Sequence, residues 1–124
     1  MVEQTGKRIL VMEDEKAMAR AMELKLSRVG FEVQSAQDGE EGMKALQEGK
    51  FDLILLDLVM PKLNGFAVLQ EIRNRGISSP VIVLSNLSQE EDAKRAKELG
   101  AQEFFVKSDT PIAKIIERVS EILA

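Results

Sequence analysis

The sequence predicts an α/β domain built on a parallel sheet with helices on both faces. Two observations predict it. Five short apolar runs alternate strictly with five amphipathic segments along the 124 residues. Most of the runs are too uniformly apolar to leave one face in water, which is the pattern of parallel strands buried on both sides. Right-handed crossovers between parallel strands then leave few topologies.

Each element has its own signal. Arg8 to Met12, "RILVM", is an apolar run bounded by charge and reads as the first strand. "DEKAMARAMELKLSRVG" follows as a helix, with Ala17, Ala21 and Leu24, and Met18, Met22 and Val29, near helical spacing. Gly30 stands where a left-handed C-cap belongs. Phe31 to Ala36 alternates as a strand, and "DGEEGMKALQEG" gives a short helix with Met43 and Leu46 on one face, ended by Gly49. "FDLILL" is the third and most apolar strand. Asn64 then caps a helix carrying Phe66, Leu69 and Ile72, which stops near Gly76. Pro80 to Leu84 is a fourth strand, and Ser88 with Glu91 three residues on marks a capping box before the fourth helix. That helix has a thin apolar face of Ala93, Ala96 and Leu99 and is otherwise densely charged. Gln102 to Val106 is the fifth strand. Thr110 as N-cap and Pro111 at the first helical position open a last helix with a stripe of Ile112, Ile115, Ile116, Val119 and Ile122. The expected organisation is a loose tail over residues 1–6 and one domain over residues 7–124, with no second domain in the chain.

Composition narrows the chemistry. With no Cys there is no thiol catalysis and no thiolate metal site. With no His the commonest general base and transition-metal ligand is missing. A net charge of −4 argues against nucleic-acid binding by this domain. No apolar run approaches the roughly 18 residues of a membrane span, and the N-terminus lacks the hydrophobic region of a signal peptide. A soluble, cytoplasmic protein is expected, with its chemistry done by carboxylates, hydroxyls, lysines and backbone.

In open α/β sheets ligands gather outside the carboxyl ends of the strands, where strand order reverses. The first run ends in Glu13 and Asp14, with Glu15 next; the third ends in Asp57, the fourth in Ser85 and Asn86, the fifth in Lys107 and Ser108. Taken singly, Asp14 reads as a helix cap, Asp57 as a turn residue, Ser85 as a satisfied loop hydroxyl and Lys107 as a solvated charge. Together on one rim they exceed what capping needs. Three close carboxylates repel one another, and one lysine cannot neutralise them. A hard divalent cation could, and an all-oxygen donor set suits Mg²⁺ with one or two carboxylates, waters and a phosphate. A carboxylate is ordinarily ionised at neutral pH and needs no base to act as a nucleophile. Phosphoryl transfer is mostly positioning and charge neutralisation.

The segments "ILVMEDE", "LILLDLVMPKLNG", "VIVLSN" and "GAQEFFVK", in that order and over essentially the whole chain, resemble the receiver domains of two-component response regulators. The resemblance implies a flavodoxin-like (βα)5 sandwich with sheet order 2-1-3-4-5. It implies a switch that accepts a phosphoryl group on Asp57 from a phosphohistidine of a sensor histidine kinase or phosphotransfer protein. Asp14, Asp57 and the Val59 carbonyl would hold Mg²⁺, with Glu13 binding it through water. Lys107 would pair with the Asp57 carboxylate and then with phosphoryl oxygens. Ser85 would swing toward the phosphoryl group, and Phe104 matches the aromatic switch residue that turns inward. The fourth helix, fifth strand and fifth helix would signal to a downstream protein target. A monomer or weak phosphorylation-dependent dimer is expected, acting on no substrate beyond its own phosphorylation and dephosphorylation.

Three departures from the family pattern stand out. Ser108 replaces the usual proline after the lysine, and a cis bond before a non-proline residue costs ~2.5–4 kcal/mol. The switch aromatic is Phe, with no hydroxyl to bond. The positions two past Asp57 and two past Ser85, which influence hydrolysis in the family, are the apolar Val59 and Leu87. A long-lived phosphorylated state is therefore expected. A degenerate receiver acting as a phosphorylation-independent interaction module is the alternative, and the intact set Asp14, Asp57, Ser85 and Lys107 argues against it. A flavin-binding electron carrier would need a hydroxyl- or glycine-rich loop where "MEDEK" stands. A phosphatase of haloacid-dehalogenase type would show a second Asp at Val59.

Overall fold

A computed structural model of the chain describes residues 6–60, 64–86 and 90–124. The expected tail, apart from Gly6, therefore lies outside the described residues, as do Pro61, Leu87 and Ser88. Strands and helices alternate as β1 (Arg8–Met12), α1 (Lys16–Val29), β2 (Glu32–Ala36), α2 (Gly39–Glu48), β3 (Leu53–Asp57), α3 (Gly65–Asn74), β4 (Val81–Ser85), α4 (Glu90–Glu98), β5 (Glu103–Val106) and α5 (Ile112–Leu123). All strand pairs are parallel, in the order β2-β1-β3-β4-β5. This is the flavodoxin-like order implied above. The chain leaves β1 in one direction to form β2 and returns on the other side to form β3, so strand order reverses between β1 and β3.

Side-chain alternation along the strands divides the core into two layers. Leu10, Met12, Ile54, Leu56, Val81 and Val83 point to the side covered by α2, α3 and α4. Ile9, Val11, Leu53, Leu55, Ile82 and Leu84 point to the side covered by α1 and α5. β3 and β4 are buried along their whole length, which is why they carry no polar residue before their last position. The edge strands β2 and β5 are partly exposed.

The caps at Gly30 and Asn64 fall where the sequence puts them, and the structure adds one at Asp38. Gly30 closes α1 in the left-handed region at φ 108°. Asn64 accepts from the Ala67 N–H at 3.0 Å, and Asp38 accepts from the Glu41 N–H at 2.8 Å. Other details differ. α1 buries Ala19, Met22 and Leu26, with Met18 at the margin, whereas Ala17, Leu24 and Val29 are exposed. The helix carries more apolar residues than one stripe can bury, so spacing alone mis-phased it. α5 begins one residue later than expected, with Pro111 itself as the extended N-cap. A 3₁₀ turn over Lys107–Asp109 uses up the preceding residues, and Thr110 ends that turn instead of capping the helix. No described peptide bond is cis, the Lys107–Ser108 bond included.

Candidate functional site

The two central strands deliver their last residues as fixed points. Asp57 closes β3 in register with Leu84, and Ser85 closes β4 in register with Val106. Beside them β1 ends at Met12, and the Glu13 N–H donates to the Ala36 carbonyl at 2.9 Å, which extends the ladder under the acidic pair. Asp14 does not cap α1: the N-cap position belongs to Glu15, which makes no side-chain capping bond. Asp14 is thus left exposed at the rim, while Glu13 and Asp57 are buried.

Past Asp57 the chain turns back so sharply that α3 starts against the strand it has just left. The Gly65 N–H donates to the Leu58 carbonyl at 2.8 Å. A Cβ at position 65 would stand 2.4 Å from Leu58 Cα and 2.7 Å from the Asp57 carbonyl oxygen, so only glycine allows this approach. The turn also aims the Val59 N–H at Asp57 Oδ1, 3.1 Å away.

Lys107, just past β5, reaches over the strand ends. Its Nζ lies 3.0 Å from Asp57 Oδ2, 2.5 Å from Glu13 Oε1 and 3.9 Å from Glu15 Oε2. Burial works against the lysine's charge, but the bonds to Glu13 and Asp57 outweigh it and hold its pKa above the usual lysine value. Burial also pushes the Glu13 carboxyl up to about 7; the bonds from Lys107 and from the Glu15 N–H offset part of the rise, and the Asp57 charge adds to it. One oxygen from each of Glu13, Asp14 and Asp57 lies within 4.8 Å of the others, a grouping that could hold a metal ion.

Asp14, Glu15, Asp57, Val59, Asn86 and Lys107 line a cavity of about 400 Å³. The sequence-predicted residues Glu13, Asp14, Asp57, Val59 and Lys107 are thus brought together. Ser85, at the end of β4, is fully buried and is not among the lining residues. Phe104 is half-buried on β5 and packs on the α2–α3–α4 side of the sheet. Two residues given no role from sequence, Glu15 and Asn86, line the cavity. Each directly follows a strand-end residue of the rim, and that adjacency was the available signal. The close Lys107–Glu13 pair was also not foreseen.

The response regulator receiver domain family model matches residues 9–120. Transcriptional regulatory protein DltR of Streptococcus agalactiae is 38% identical over 111 residues, which cover 87% of this chain and 50% of that protein. Alkaline phosphatase synthesis transcriptional regulatory protein PhoP of Bacillus subtilis is 37% identical over 124 residues, covering 96% and 52%. The chain spans about half the length of these relatives. Among solved structures, the receiver domain of Francisella response regulator 1452 superposes with a TM-score of 0.90 at 29% identity, covering 95% of this chain and 97% of that one. The BeF3-activated DrrB receiver domain gives 0.85 at 25% identity, covering 96% and 98%.

Proposed function

The chain belongs to the response regulator receiver domain family, and on that premise we propose that it is a phosphorylation-driven signalling switch with Asp57 as acceptor. The observation that supports this most is the convergence on one carboxylate. Asp57 sits at the end of a buried strand, held by the Val59 N–H on one oxygen and by Lys107 on the other, with Glu13 and Asp14 beside it.

In this reading an Asp57 carboxylate oxygen attacks the phosphorus of a phosphohistidine on a sensor kinase or phosphotransfer protein. The new P–O bond forms as the P–N bond breaks, the imidazole leaves with the bonding electrons, and an acyl phosphate results. Lys107 fixes the carboxylate before transfer and stays within reach of the phosphoryl oxygens after it. The three-carboxylate group consists of hard oxygen donors with a single close lysine, a set that fits Mg²⁺. Asp14, Asp57 and the Val59 carbonyl would hold the ion directly, and Glu13 through water. When bound, it would supply neutralisation of the charge on the transferred phosphoryl group.

Ser85, on turning outward, would donate its hydroxyl to a phosphoryl oxygen, and Phe104 would turn inward in step with it. The changed α4–β5–α5 surface then signals to a downstream protein target. Residues 7–124 act as one receiver domain, a monomer or weak phosphorylation-dependent dimer working in the cytoplasm. No helix among the described residues is long and apolar enough to cross a membrane.

Incubation with Mg²⁺ and acetyl phosphate tests the reading. Intact-mass analysis is expected to show one added phosphoryl group, absent in Asp57→Asn and absent when Mg²⁺ is chelated. A wild-type chain that gains no mass overturns it.

A further inference from the structure

Phe66 in the first turn of α3 meets Arg95 in the middle of α4. The Arg95 guanidinium lies over the Phe66 ring, 4.1 Å from its centroid, inside the ~6 Å within which a cation is attracted to an aromatic face. The two partners are anchored very differently. Phe66 directly follows Gly65, whose backbone is bonded to Leu58 and packed against Asp57 and Leu58. Its ring is therefore tied to the backbone that carries the acceptor. α4 buries only Ala96, and Ala93 and Leu99 are half-buried. A helix held by so little apolar contact shifts at low cost; the Arg95–Phe66 contact ties its middle to α3, as Arg73 ties its C-terminal end by donating to the Gly100 carbonyl at 2.7 Å.

We propose that this contact is a latch: it holds α4 in the position seen here and is given up when Asp57 is phosphorylated. The inference rests on the phosphorylation reading above. A pull on Ser85 toward Asp57 acts on the end of β4, the strand that precedes α4 in the chain, whereas Gly65 keeps Phe66 with the β3 backbone. The two partners then separate, and the attraction fades beyond ~6 Å. A contact present in one state and lost in the other opposes the transition by its own strength. Removing the latch should therefore make the activated state easier to reach.

The test is titration of the chain with beryllofluoride in the presence of Mg²⁺, read by calorimetry. Arg95→Met keeps the aliphatic stem and removes the charge; Phe66→Leu keeps apolar volume and removes the ring face. Each is expected to bind beryllofluoride about two- to fivefold more tightly than wild type. The double variant is expected to bind no more tightly than either single one, because both remove the same contact. Arg95→Lys, which keeps a cation over the ring, should stay near wild type. Unchanged or weaker binding in the single variants, or additive gains in the double, overturns the latch and leaves the phosphorylation reading standing. A wild-type chain that binds no beryllofluoride overturns both.

Discussion

Under the proposed function, Val59 would set a rate without touching the chemistry of transfer. It is 56% exposed, lines the cavity, and already commits its N–H to Asp57. A methyl-bearing side chain at the mouth can neither donate to nor accept from an attacking water. The wild-type acyl phosphate should therefore outlast a scale of seconds once the donor is removed. Val59→Asn supplies an amide at the same place. One orienting hydrogen bond is worth about 0.5–1.5 kcal/mol, so the half-life should shorten about two- to tenfold, followed by loss of the phosphorylated mass with time. An unchanged half-life would move control of hydrolysis elsewhere; Leu87, the second apolar position, lies outside the described residues. At this scale the sequence was informative wherever a strand delivers a residue. Asp57, Asp14 and Lys107 could be placed on the rim because each follows an apolar run. The Lys107–Glu13 pair could not, since β1 and β5 are separated by β3 and β4. Only the length of the lysine stem brings them to 2.5 Å.

Among the elements, α3 is the one whose start is fixed by the site. Its first residue, Gly65, leaves no room for a Cβ against the backbone of Leu58 and the Asp57 carbonyl. Backbone cannot yield as a flexible side chain would, so Gly65→Ala must push the helix off β3. Overpacking of this kind costs roughly 1–3 kcal/mol. Denaturant unfolding should show that loss, and acceptance of phosphoryl from acetyl phosphate should slow, because the same backbone positions the Val59 N–H on Asp57. A Gly65→Ala chain as stable as wild type would mean that α3 can start farther from the strand. Element types and several caps are legible because Gly30, Gly49 and Asn64 serve termini that need them. What escaped were matters of phase. α1 offers apolar residues on more than one face, and packing against β1, β2 and α5 selected Ala19, Met22 and Leu26. The 3₁₀ turn after β5 has no apolar period to reveal it, so the sequence pattern places Thr110 and Pro111 one position out.

For the whole molecule, the proposed metal site would link folding, protons and metal. Folding raises the Glu13 carboxyl from 4.5 to about 7. Between those values the folded chain keeps a proton that the unfolded chain has released, so this group's contribution to stability is largest below about pH 4.5 and is lost as pH rises through about 7. Lys107 acts in another range. Its pKa is raised above 10.5, so its contribution is fully present below 10.5 and is lost only as pH rises through the higher folded value; it stays constant across the window of Glu13. Mg²⁺ bound there would favour the deprotonated carboxylates and compete with the Glu13 proton. Its stabilising effect should therefore grow over the interval in which the metal-free chain loses stability. Thermal unfolding at several values between about pH 5 and pH 8 is expected to show a falling Tm without metal, a flatter profile with saturating Mg²⁺, and a widening gap between the two. Glu13→Gln, which cannot release the proton, should keep the two profiles parallel. A gap that is independent of pH in the wild-type chain would uncouple Glu13 from the metal and leave Asp14, Asp57 and the Val59 carbonyl as its protein contacts.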